Sequence, residues 1–198
     1  MATNTPQLNT VVNTDYIPSI SHNTTGWRDD RANLLNFILV THGILICAIQ
    51  EHMQLEGNLY RIASKFNSYE TFSIPAFKNN EVIHQGRPSG GLSLIYSRKI
   101  MNYVEHITVP NSYRVQGIKV KLPQQTFVFI NTYFPTDPRN ENFDDSELIE
   151  TLEDINFILD TCEHSDNLIL LGDFNTDFSR NSRFVTIVKT MFQALLQD

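Results

Sequence analysis

Three short apolar runs in this chain end in polar residues suited to handling a phosphate and a hard metal ion. The run Ile44 to Ile49 delivers Gln50-Glu51-His52, and Phe127 to Ile130 delivers Asn131-Thr132-Tyr133-Phe134-Pro135. Leu168 to Leu171 delivers Gly172-Asp173-Phe174-Asn175. A strand end is rigid and its next residue meets solvent, so such positions hold reactive groups well. If strand geometry continues, Asp173 and Asn175 share a face while Phe174 turns inward. Gly172 leaves room for close backbone approach. Together the runs offer two carboxylates, a phenol and an amide, the set that phosphodiester hydrolysis requires. Mg2+ takes oxygen ligands and usually only one or two protein carboxylates, and it neutralises phosphate oxygens. A second carboxylate orients or deprotonates the attacking water, while amide and phenol donors hold the phosphate in line.

Regular elements must position these groups. Arg28 to His42 reads as a helix, with Asp29 and Asp30 in its first turn, an apolar period through Leu35, Ile38 and Leu39, and Gly43 as a left-handed cap. The run Ile44 to Ile49 is too short for a helix and fits a strand covered on both faces. Gly90 to Tyr96 reads as a further strand. Val115 to Leu122 alternates, placing Ile118, Val120 and Leu122 on one face, and pairs as a hairpin with Thr126 to Phe134. Asp144 with Glu147 resembles a capping box ahead of a helical stripe through Leu148, Leu152, Ile155, Leu159 and Cys162. Asn167 to Leu171 reads as a short buried strand, and an amphipathic helix begins near Arg183. This order predicts two packed β-sheets flanked by helices.

The chain has 198 residues, 41% of them hydrophobic and 19% charged, which suits one folded domain and excludes a disordered chain. Residues 1–16 read as a loose leader and residues 17–198 as the domain. No apolar run reaches the length of a membrane span, and the N-terminus lacks a basic flank followed by an apolar stretch. No membrane or protein partner is expected. Cys47 and Cys162 lie in apolar segments and read as reduced core thiols. The net charge of −7 gives no long-range attraction to nucleic acid.

Five blocks in order carry a family resemblance: Asn23-Thr24-Thr25-Gly26, Gln50-Glu51-His52, Ser89-Gly90-Gly91-Leu92-Ser93-Leu94, Asn131 to Pro135, and Gly172-Asp173-Phe174-Asn175. From about Ile17 onward the chain resembles the endonuclease/exonuclease/phosphatase superfamily. Its wording is most similar to the endonuclease domains of non-LTR (LINE-type) retrotransposons. The resemblance implies a four-layer α/β sandwich like that of deoxyribonuclease I, and Mg2+ as cofactor, with Mn2+ able to replace it. It also implies DNA as the substrate, action inside the cell in the nucleus, and an associated reverse transcriptase. By the same resemblance Glu51 is the principal metal ligand and Asn23 assists at metal and phosphate. Tyr133 lies against the scissile phosphate, Asp173 positions the water, and Asn175 binds phosphate or nucleophile.

In two places the chain departs from that pattern. Family members carry a later Ser-Asp-His, whereas the 23 residues after Asn175 contain no histidine, and His164-Ser165-Asp166 is reversed and precedes the Gly-Asp-Phe-Asn block. The chain is therefore expected to behave as a C-terminally truncated member, lacking its last strands and one catalytic pair, with an uncovered sheet edge. Thr136 stands where the repair enzymes of the family often have Asn. Two other readings stay open: a hydrolase of small phosphoesters on the same fold, and a remnant without turnover. Each residue also has a structural reading. Glu51 would be a solvated carboxylate, Tyr133 a packed aromatic, and Asn23, Asp173 and Asn175 turn formers. Arg28, Arg31, Arg98 and Lys99 read as scattered surface charge, His52, His84 and Arg87 as solvated loop residues, and Gly90-Gly91 as a source of strand curvature.

Overall fold

A computed structural model describes residues 16–76, 88–137 and 144–195. Residues 1–15 of the expected leader, together with His84 and Arg87, lie outside the described residues. The buried run becomes β2 (Ile46–Gln50), in which all five residues are buried. It sits between β1 (Ser19–Asn23), which runs parallel to it, and β4 (Leu92–Ser97), which runs antiparallel; β3 (Tyr69–Ile74) completes the sheet in the order β1-β2-β4-β3. The second sheet has the order β5-β6-β7-β8, from β5 (Val104–Ile107), β6 (Val115–Lys121), β7 (Thr126–Tyr133) and β8 (Asn167–Asp173). The expected hairpin is β6–β7, while β7 and β8 are parallel.

Period-two alternation sorts these side chains into layers. Ile46, Ala48, Leu94, Tyr96, Ile118, Val120, Leu122, Phe127 and Phe129 fill the space between the sheets. Cys47, Ile49 and Ile95 face outward under the helices α1 (Asp29–Thr41) and α2 (Tyr60–Ala63), through Leu35, Leu39 and Ile62. On the other side Val115, Val128 and Ile130 meet α3 (Ser146–Leu159) and α4 (Arg183–Leu195), through Leu148, Leu152, Ile155, Ile158, Phe184 and Val188. Helices, sheet, sheet and helices form the expected four-layer sandwich. Both cysteines are free thiols, Cys47 fully buried and Cys162 half-buried.

Several local expectations need correction. Glu147 makes no capping box: its carboxylate pairs with Arg114 at 2.7 Å, and Asp144 Oδ1 instead accepts from the Ser146 N–H at 3.0 Å. Among the described residues β8 is an edge strand, paired only with β7, and Leu168 is 51% exposed. Strands β1, β3 and β5 were not anticipated, since Ser19–Asn23 and Val104–Ile107 carry too few apolar residues to show a period. Gly91 does more than bend a strand. A Cβ there would lie 2.5 Å from the ring of His52, so the glycine makes the seat for that ring. His52 is fully buried rather than a solvated loop residue. Its Nε2 lies 3.1 and 3.2 Å from the carbonyls of Ile74 and Leu92, and its Nδ1 accepts from the Gln54 N–H at 3.0 Å. Burial pushes its pKa down to about 4, so the ring is neutral near pH 7. In the reversed triplet, the half-buried Asp166 has its carboxylate covered and paired with Lys119 at 2.8 Å, a structural ion pair.

Candidate active site

Glu51 follows β2 in the left-handed backbone region, with φ of +54°. That conformation is uncommon for a long side chain and persists only where neighbours fix it. Here they do. The Thr24 N–H donates to Gln50 O at 2.9 Å, Gly26 N–H to Glu51 O at 2.7 Å and Trp27 N–H to His52 O at 3.0 Å. The Thr24 hydroxyl lies 3.0 Å from both the Gln50 and the Glu51 carbonyl oxygens. On the other side Met53 N–H donates to Gly90 O at 3.0 Å. The Asn23-to-Gly26 and Ser89-to-Leu94 blocks thus clamp the turn that presents Glu51.

The end of β7 meets that turn from the second sheet. Tyr133 donates its hydroxyl to Glu51 Oε1 in a short hydrogen bond. Burial, the Glu51 charge and this bond push the phenol pKa up to about 12, so Tyr133 is a neutral donor. Register sets Tyr133 directly beside Asp173 of β8. Gly172 allows this: a Cβ there would fall 2.1 Å from the Thr132 carbonyl oxygen. Asp173 Oδ2 accepts from Asn23 Nδ2 at 2.6 Å, and its Oδ1 accepts from the Asn175 N–H at 2.9 Å.

The five residues therefore converge, but strand geometry stops at Asp173. Asn175 is left-handed, with φ of +48°, and its amide donates to Phe134 O at 2.8 Å while lying beside the Tyr133 hydroxyl. Phe174 packs among Phe134, Phe178 and Phe192, as expected. The turn-forming readings also hold, because Asn23 Oδ1 accepts from the Thr25 N–H at 2.8 Å just as Asp173 accepts from Asn175. The same side chains shape the turns and face one another.

Beneath the site lies a feature that strand-end reasoning did not single out. Asn131 and Gln50 are buried between the sheets, with Gln50 Nε2 donating to Asn131 Oδ1 at 2.7 Å. Asn131 Nδ2 donates to Ile49 O at 3.0 Å and to Ser93 O at 3.2 Å. This polar link fixes the end of β2 against the end of β7. Its sequence signal is an amide placed directly after each apolar run. Arg114 was also missed: it is nearly buried, donates Nη1 to Tyr133 O at 3.2 Å and stacks over the Tyr113 and Tyr133 rings at 5.1 and 5.5 Å. By contrast Arg28 pairs with Asp30 and Arg98 with Glu70, in keeping with scattered surface charge.

Among the described residues no group of three or more His, Cys, Asp or Glu side chains is placed to hold a metal ion. An all-carboxylate cage is therefore absent there. The donor set fits Mg2+ differently, as one or two carboxylates supplemented by water. Neither Glu51 nor Asp173 takes part in an ion pair among the described residues, so no lysine or arginine neutralises them. A cavity of about 610 Å³ opens at Asn23, Asp173 and Asn175, and a second of about 540 Å³ opens at Tyr133.

The sequence profile of the "Endonuclease/Exonuclease/phosphatase family" matches residues 12–186, and the chain belongs to this family. The family's chemistry is generally metal-dependent phosphodiester hydrolysis. No curated protein sequence matches significantly. Among solved structures it is similar to an endonuclease/exonuclease/phosphatase family protein from Leptotrichia buccalis, at 18% identity and TM-score 0.61, covering 87% of this chain and 73% of that one. The endonuclease domain of TRAS1, a telomere-specific non-LTR retrotransposon, aligns at 14% identity and TM-score 0.58, covering 89% and 71%. D. rerio TDP2 complexed with single-strand DNA product aligns at 14% identity and TM-score 0.52, covering 81% of this chain and 58% of that one. At these identities the likeness is one of fold. Among the described residues no helix is long and apolar enough to cross a membrane.

Proposed function

We propose that the chain hydrolyses phosphodiester bonds with a divalent cation, as a retrotransposon-type endonuclease that nicks DNA. The observation that carries this is the meeting of Glu51, Tyr133, Asp173 and Asn23 across the two sheets, through the Tyr133–Glu51 and Asn23–Asp173 hydrogen bonds. Two structures of this fold, the TRAS1 endonuclease domain and the DNA-bound TDP2, favour nucleic acid as the substrate. The wording of its motif blocks is most similar to that of the retrotransposon branch, which supports this reading. A net charge of −7 favours the second reading, a small phosphoester as substrate.

Glu51 would hold Mg2+, or Mn2+ in its place, with Asn23 assisting. The ion would neutralise phosphate oxygens and a developing alkoxide. Tyr133, kept protonated, has one O–H, which it donates to Glu51 here and would turn to a phosphate oxygen once the Glu51 carboxylate holds the ion. Asp173, oriented by Asn23, positions the attacking water and takes up its proton. Asn175, held by Phe134 O, sets a polar amide beside Tyr133 and Asp173 and limits how the phosphate seats.

The test is nicking of supercoiled plasmid with Mg2+, with protein in excess so that a single turnover is seen. Glu51→Gln and Asp173→Asn should each lower the rate by about a hundredfold or more. Nicking untouched by both would overturn the assignment. No nicking, with hydrolysis of a small aryl phosphodiester, would establish the second reading, and neither activity would mark the chain as a remnant.

A further inference from the structure

We infer that the cavity of about 540 Å³ beside Tyr133 receives an unpaired nucleobase next to the scissile phosphate, stacked against Tyr113. This rests on nucleic acid being the substrate. Strand β6 flanks β7 on one side and β8 on the other. The cavity is lined by Tyr113 and Arg114, just ahead of β6, and by Tyr133, but by no residue of β8, so it adjoins a phosphate seated at Tyr133 on the side away from Asp173 and is open to the next sugar and base.

The cavity's chemistry selects a flat, neutral group. Tyr113, Tyr133, Pro135 and Phe184 supply apolar and aromatic wall, and Arg114 stacks on both tyrosine rings and fixes their spacing. Among the described lining residues the one guanidinium, that of Arg114, is already paired with Glu147 at 2.7 Å, and Asp144 adds a second carboxylate. Two carboxylates against one cation disfavour a further phosphate. The same carboxylates accept hydrogen bonds from exocyclic amines. A nucleobase carries such amines on a flat ring, and the volume lies within the range of small-molecule sites. Aromatic side chains bind such bases through their π-faces, with no need for a basic surface.

The experiment uses the full chain without added metal, so that turnover is absent, and short single strands carrying one fluorescent adenine analogue at successive positions. An end label reports binding by anisotropy. Analogue fluorescence should be quenched at one position only. Tyr113→Leu, which keeps bulk but lacks the π-face, should remove the quench and weaken binding by about tenfold, whereas Tyr113→Phe should retain both. Bound DNA with no quenched position, or a quench unchanged in Tyr113→Leu, overturns the base site. A strand that fails to bind overturns nucleic acid as the substrate and this inference with it. If Glu51→Gln leaves nicking intact while the Tyr113-dependent quench persists, the catalytic assignment falls and the base site stands.

Discussion

Asn23 Nδ2 donates to Asp173 Oδ2 at 2.6 Å, joining two side chains 150 residues apart in sequence. Their strands are the edge strands of different sheets, so the bond closes the sandwich at one end. Asp173 is thereby hydrogen-bonded but, among the described residues, not ion-paired. The parallel link from Tyr133 does the same for Glu51. Two carboxylates held by neutral donors suit a site that must bind a cation and expel a negatively charged product.

From this follows the effect of Asn23→Ala. The Asp173 side chain loses the partner that fixes its rotamer, although its backbone stays in register with Tyr133. Groups that orient a metal site typically contribute ten- to a hundredfold to affinity or activity. Nicking by Asn23→Ala is expected to fall by about that factor, with a loss of about 1 kcal/mol in urea unfolding. An unchanged rate would mean that Asp173 needs no help from β1.

Tyr133→Phe removes a phenol whose pKa is pushed up to about 12. Such a group stays protonated through the whole working range, so it contributes a hydrogen bond and no titration. The variant is expected to nick about ten- to a hundredfold more slowly while its pH–rate profile keeps the wild-type shape below about pH 10. An alkaline limb that vanishes in Tyr133→Phe would show instead that the phenol ionises during turnover.

The strands that carry strong apolar runs were legible in the sequence, because burial on both faces demands them. So were α1, α3 and α4 from their period, and the strand-end positions of Glu51, Tyr133 and Asp173. What composition hid was support. Thr24 and Gly26 look like turn residues, yet they hold Glu51 in its left-handed conformation through bonds to carbonyls 25 or more residues away. His52 looked solvated because its fate depends on Gly91, 39 positions on, having no Cβ. Period and propensity report on local surroundings, whereas these residues are defined by what the other strand brings.

Two glycine substitutions separate stability from site geometry. Gly91→Ala drives a methyl into the His52 ring at 2.5 Å and strains a backbone at φ of +88°. It should cost about 2–4 kcal/mol in urea unfolding. Gly172→Ala places its methyl 2.1 Å from the Thr132 backbone oxygen, which no side-chain rotation relieves. It must push β8 away from β7 just before Asp173. Its nicking rate should therefore fall further than that of Gly91→Ala when the two are compared at a temperature where both are folded. Equal losses in the two variants would show that Asp173 tolerates displacement of its strand.

His52 predicts how stability depends on pH. Folded, its pKa is held at about 4, and unfolded it returns to about 6.5. Above pH 6.5 both states carry a neutral ring and its full contribution is present. As pH falls from 6.5 toward 4 only the unfolded chain takes up the proton, so the folded state loses stability across that window. A gap of this size corresponds to about 3 kcal/mol. His22 and His106, also lowered by burial, push in the same direction, so the wild-type curve alone does not isolate His52. The comparison with His52→Gln does. That variant loses packing at every pH, but its amide cannot titrate, so its deficit against wild type should narrow by about 3 kcal/mol between pH 7 and pH 4 in urea unfolding. A deficit that stays constant would mean that the buried ring accepts a proton in place, and that the carbonyls of Ile74 and Leu92 satisfy an imidazolium as readily as a neutral donor.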